Sequence, residues 1–118
     1  MGLASCEKQQ PSDDNQNNPY NGTKWSYATS GGKEVLHFTS ETNVTFYKAD
    51  VNGNFKATRA TGEYSYSGNN ISFSNMVEHD GVDYIYENAT VSGTTMTLKY
   101  YWLKDGEKKY YSPTLMKE

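Results

Sequence analysis

One cysteine, two histidines and no long apolar run set the first limits on this chain. Cys6 has no second cysteine with which to form a disulfide. A zinc site on His37 and His79 would need further ligands at suitable spacing, and nothing in the sequence places those two together. No apolar stretch approaches the ~20 residues of a bilayer-spanning helix. Charge of one sign is sparse as well. The net charge is −3, and the basic residues are scattered apart from Lys104, Lys108 and Lys109 beside one expected turn. A nucleic-acid binder needs a basic face, so no such partner is expected, and the lysine group reads as a solvated loop. Catalytic signatures are missing too. No serine stands in a Gly-x-Ser-x-Gly elbow, paired carboxylates alone are no argument, and nothing implies a cofactor, so an enzyme is not expected.

Two smaller patterns resolve to structure. Asp50, Asn52 and Asn54 imitate the start of a calcium loop, but Phe55 and Thr61 stand where that loop needs Gly and a bidentate Glu. The segment therefore reads as a turn. Glu78, His79, Asp80 and Asp83 read as a solvated acidic loop, and the four Asn-x-Ser/Thr sequons at Asn21, Asn43, Asn70 and Asn88 as a product of composition.

What the chain has in quantity is alternation. From Thr61 to Phe73, Gly62, Tyr64 and Tyr66 alternate with Glu63, Ser65 and Ser67, and after Gly68-Asn69-Asn70 the alternation resumes with Ile71 and Phe73. Apolar residues at every second position around a Gly/Asn turn describe a β-hairpin. The same grammar runs through Trp25 and Tyr27, Leu36 and Phe38, Val44 and Phe46, Phe55 to Tyr66, and Met96 to Trp102. Val82, Tyr84 and Tyr86 hold one parity and Ala89 and Val91 the other, which predicts a β-bulge near Glu87-Asn88. Asp105-Gly106 marks another hairpin, and Pro113 suits an edge position, a bulge or the fraying end of a last strand from Lys108 to about Leu115. The expectation is an all-β domain over residues 22–118. About eight antiparallel strands would form an up-and-down meander, closed as a lipocalin-like barrel or barrel-like sandwich.

The region ahead of that domain, residues 1–21, has no periodic apolar residues from Glu7 onward and reads as a disordered tether. At its head, Leu3-Ala4-Ser5-Cys6 resembles the lipobox of bacterial lipoproteins. That resemblance implies lipidation of Cys6, a membrane partner through the lipid, and residence at the bacterial envelope, anchored to the outer membrane.

The domain itself resembles the lipocalin-like domains of small Bacteroidetes lipoproteins. The resemblance lies in Gly22 with Trp25, Leu36 with Phe38, Thr61-Gly62-Glu63-Tyr64, Gly68 to Phe73, and Val91 to Leu98. It implies a secreted or surface-anchored β domain with no assigned chemistry.

With eleven tyrosines, aromatic rings must supply much of the core. Trp25, Tyr64, Tyr66, Phe73, Tyr84, Tyr86, Met96, Leu98, Tyr100 and Trp102 share inward parity. They either fill the interior or line a cavity, and short strands favour a filled interior. The candidate ligand-binding residues are Trp25, Tyr64, Tyr66, Tyr84, Tyr86, Tyr100 and Trp102. The expected role is a monomeric, non-enzymatic module holding a small apolar or aromatic ligand at the barrel mouth. The alternatives are a protein-interaction or inhibitor module with a packed interior, and glycan binding through a flat row of surface aromatics.

Overall fold

The computed structural model describes residues 18–79 and 84–118. Cys6, most of the tether, and Asp80 to Asp83 lie outside the described residues. Nine strands follow in order: β1 (Lys24–Thr29), β2 (Gly32–Phe38), β3 (Asn43–Ala49), β4 (Phe55–Ser67), β5 (Asn70–Glu78), β6 (Tyr84–Ser92), β7 (Thr95–Lys104), β8 (Glu107–Tyr111) and β9 (Thr114–Lys117). All pairings are antiparallel, in the order β6-β5-β4-β3-β2-β1-β9-β7, and β6 also pairs with β7. Eight strands thus close a barrel, with β8 added outside the ring. This is the meander that alternation and short turns predict.

The hairpin turns have the residues their geometry requires. Gly68 and Gly93, each first in a two-residue turn, have φ of 60° and 63°, and Asp105-Gly106 has 54° and 80°. Both classes need positive φ, which suits the right-handed strand twist. In the longer turn after β3, the Asp50 carboxylate accepts hydrogen bonds from the Asn52 and Asn54 amides, both at 2.9 Å.

One expected strand becomes two. The last strand splits at Pro113, whose carbonyl accepts from the Leu98 amide at 3.0 Å. Proline has no N–H to return that bond, so the ladder is interrupted between β8 and β9. The domain boundary also moves. Composition assigned Asn18 to Asn21 to the tether, yet Tyr20 is only 4% exposed and belongs to the core. Its hydroxyl donates to the Gly68 carbonyl at 2.8 Å, and its ring meets Phe38 and Tyr66.

The two ends of the barrel differ. At one end Tyr20, Trp25, Phe38 and Tyr64 close the interior as a plug. The middle is filled by Leu36, Phe46, Ile71, Met96, Leu98 and Leu115, each at 0% exposure. Each large side chain of this set contributes about 1.5–3 kcal/mol of burial. Towards the other end two seams loosen. Among the described residues, β5 bonds to β6 only from Asn70 to Ser72, and β1 to β9 only at Trp25 and Ser26. Bulges on β5 and β6 bend those strands apart above Ser72. Asn75 stands at φ 53° in the first, and the register slips between Tyr86 and Asn88 in the second.

Candidate functional site

The candidate residues fall at two ends of the molecule. Trp25 and Tyr64 are buried at the plugged end, where the Trp25 indole donates to Thr23 Oγ1 and the Tyr64 hydroxyl to the Ser40 carbonyl. Tyr66 has the inward parity expected of it but lies at the very rim, 37% exposed and edge-on to Tyr20. Tyr84, Tyr86 and Tyr100 come together at the flared end. Their ring centroids lie 5.2 to 6.5 Å apart. Trp102, across from Tyr84 in register, is half-buried, with the Lys104 ammonium 5.0 Å from its ring centroid. Thus three of the seven form one cluster.

That cluster extends beyond the candidate ligand-binding residues, to Phe46 and Phe73, which belong to the alternating series, and to Tyr111 and Arg59, whose inward placement alternation does not predict. Tyr111 of β8 stacks on Tyr100 at 5.3 Å and 21°, and Phe73 and Phe46 meet Tyr86 edge-on. At its centre is Arg59, 4% exposed, whose guanidinium carbon sits 4.8 Å from the Phe46 centroid and 4.5 Å from that of Tyr84. Its Nη1 donates to the Glu34 carboxylate. Glu78, opposite Ala60 in register, has both carboxylate oxygens withdrawn from solvent.

Alternation along β4 puts Ala60, Gly62 and Tyr64 inward and Arg59 outward. The structure turns Arg59 inward with a bulge. Phe46 pairs with Ala60, but Tyr47 pairs with Thr58, leaving Arg59 as the extra residue. The one available signal was compositional: Arg59 is the only arginine among eleven basic residues. A guanidinium is more weakly hydrated than an ammonium and stacks on aromatic faces, so it suits burial.

Burial alone would lower the Arg59 pKa, but the fields of Tyr86 and Glu34 outweigh it and hold the guanidinium charged. Burial pushes the Tyr27 hydroxyl well above the ordinary tyrosine range, and the neighbouring Glu34 and Tyr100 push the same way. The flared end therefore holds a buried guanidinium–carboxylate pair beside packed tyrosine rings from β6, β7 and β8.

The rim opens on the β1–β2 side. A cavity of about 280 Å³ lies there, lined by Lys33, Glu34, Lys48 and Lys56 among others. Along the loosened β1–β9 seam runs a second, shallower cleft of about 540 Å³, bordered by Tyr27, Val51, Thr114 and Met116. Among the described residues, no group of three or more His, Cys, Asp or Glu is placed to hold a metal ion.

No protein-family model, curated protein or solved structure matches this chain.

Proposed function

We propose that this chain is a non-enzymatic binding module of the bacterial envelope, tethered through a lipidated Cys6, that holds a small ligand with an aromatic or apolar body at the flared mouth of its barrel. The observation that carries this reading is the convergence of Tyr84, Tyr86, Tyr100 and Tyr111 at the end where two seams part. Aromatic faces grouped at a barrel mouth offer stacking and apolar contact to a flat guest. The middle of the barrel is filled by side chains at 0% exposure.

The reading is tested by titrating the protein with phenylnaphthylamine, an uncharged aromatic probe that fluoresces in apolar surroundings. Saturable enhancement is expected, and Tyr84→Ala should weaken it by at least about fivefold, as loss of one aromatic contact does. No saturable signal would end the reading.

A second reading has its own observation. Ile85, Tyr101 and Tyr110 form one row across β6, β7 and β8 on the outer face, with Lys108 and Lys99 set against the two tyrosine rings at 4.9 and 5.6 Å. Ile85 and Tyr110 are exposed. A glycan or protein partner would use that platform and leave the probe titration unaffected by Tyr110→Ala.

A further inference from the structure

The rings proposed to hold a guest are themselves covered. Tyr100 is 5% exposed and Tyr86 6%, so a ligand reaches their faces only if a neighbour moves. Tyr84 packs edge-on against Tyr100 at 5.2 Å, Tyr86 lies tilted at 5.4 Å, and Tyr111 stacks on it at 5.3 Å. Tyr84 and Tyr86 stand on β6, which pairs with β7 from Tyr84 to Ser92 and buries Ala89 and Val91. Tyr111 stands on β8, which among the described residues pairs with β7 alone and has all five residues exposed. Exposed ladder bonds exchange readily for bonds to water, so a strand of this kind opens at small net cost. Of the two strands that bring rings to Tyr100, β8 is the one free to lift.

Both ends of β8 are set apart from the barrel ring. Asp105-Gly106 is a two-residue turn with both residues at positive φ, and Ser112-Pro113 falls outside the strands before β9 begins. β9 is fixed by its pairings to β1 and β7 and by Leu115 at 0% exposure, so Pro113 separates a held strand from a loose one. The parted β1–β9 seam adjoins this joint. Thr114, the residue after Pro113, borders the cleft of about 540 Å³, as does Tyr27, whose hydroxyl interacts with that of Tyr100. We infer that β8 is a strap across the barrel mouth and Tyr111 its latch. The strap lifts between the turn and Pro113, Tyr111 leaves Tyr100, and the guest passes from the seam cleft to the ring cluster before the strap recloses. The inference rests on the reading of the flared end as a ligand site, and it adds the route by which that site fills.

The other ways in are closed more firmly. The far end carries the plug of Tyr20, Trp25, Phe38 and Tyr64, each buried, and the middle of the barrel is filled. At the β5–β6 seam, β5 is held to β4 by pairings from Asn70 to Glu78 and anchored by Ile71 at 0% exposure. A latch made of one aromatic stack suits a gate, because such a contact is weak enough to part repeatedly while the rest of the fold stays shut. The strap also has a kinetic signature. A gate changes entry and exit together and leaves Kd nearly unchanged, whereas loss of a plain contact acts mainly on exit.

The experiment pins the strap on the full chain, with Cys6→Ser throughout so that no native thiol competes. Leu103 and Lys108 stand directly opposite, next to the pair that closes the turn, in the non-hydrogen-bonded position where side chains approach most closely. Leu103→Cys with Lys108→Cys should therefore form a disulfide that holds β8 to β7. In stopped-flow mixing with phenylnaphthylamine, the oxidised form should load and release the probe at least about tenfold more slowly than the reduced form, with Kd changed less than about threefold. Tyr111→Ala should load about fivefold faster than its parent, whereas a plain contact residue would leave loading unchanged and only hasten release. Equal loading by the oxidised and reduced forms, or unchanged loading by Tyr111→Ala, would overturn the strap. If the parent binds no probe, the ligand reading fails and amide exchange judges the strap alone. The Lys109 and Tyr111 amides should then exchange at least about tenfold more slowly in the oxidised form, beyond any change at Leu115. Equal exchange in the two forms would remove the strap as well.

Discussion

Gly62 shows how a single residue sets the spacing of the sheet that carries the site. A Cβ built there would meet the Met76 sulfur at 2.3 Å, the Met76 Cα at 2.9 Å and the Ser74 carbonyl at 3.0 Å. The sulfur could swing aside, but the two backbone atoms belong to the β5 bulge around Asn75 and cannot yield without undoing it. Gly62→Ala is therefore expected to cost about 2–3 kcal/mol, in the range of an overpacked core site, read as a lower denaturation midpoint in urea. Adding Met76→Ala should recover only part of that loss. Full recovery would place the clash in the side chain alone. The sequence singles out Gly62 through its Thr-Gly-x-Tyr setting, but the reason for glycine needed the neighbouring strand. Arg59 was hidden for a related reason. Its inward aim comes from a slip in pairing with β3, and nothing in Thr58-Arg59-Ala60 breaks the local alternation.

Among the elements, what was legible depended on whether an irregularity changes apolar parity. The bulge in β6 was readable because Tyr84 and Tyr86 stand on one parity and Ala89 and Val91 on the other, and the register does slip between Tyr86 and Asn88. The division of the last strand was less so: Pro113 could mark an edge, a bulge or a fraying end. The observed outcome has a dynamic consequence. β8 pairs with β7 alone and all five of its residues are exposed, whereas β9 pairs with both β7 and β1 and buries Leu115. Amide hydrogen exchange should therefore release the β8 amides through local opening, while the Leu115 amide should exchange only on global unfolding. Uniform protection across residues 107–117 would mean that β8 and β9 act as one strand. Opening of β8 also moves Tyr111 away from Tyr100, so the same experiment with phenylnaphthylamine bound should slow β8 exchange.

At the scale of the whole molecule, the barrel has one sealed end and one flared end, and the seal comes from ahead of the first strand. Alternation fixed the strands and most of the core, but it could not place Tyr20, which stands alone in a polar stretch with no periodic partner. Its partners are distant in sequence: Phe38, Tyr66 and the Gly68 carbonyl. Asn18 completes the arrangement by donating to the Tyr64 hydroxyl at 3.0 Å and accepting from the Tyr20 amide at 2.9 Å. A chain beginning at Asn18 should thus melt like the full-length protein. One beginning at Gly22 should be destabilised by about 3 kcal/mol, comparable to deleting a buried aromatic side chain, with a Tm lower by roughly 10 °C or more. Thermal unfolding followed by circular dichroism separates the outcomes. If the chain from Gly22 melts at the full-length temperature, Tyr20 is not the plug. If it melts lower yet keeps probe binding, the sealed end stabilises the barrel and the proposed ligand site lies at the flared end alone, where Tyr84, Tyr86 and Tyr100 converge.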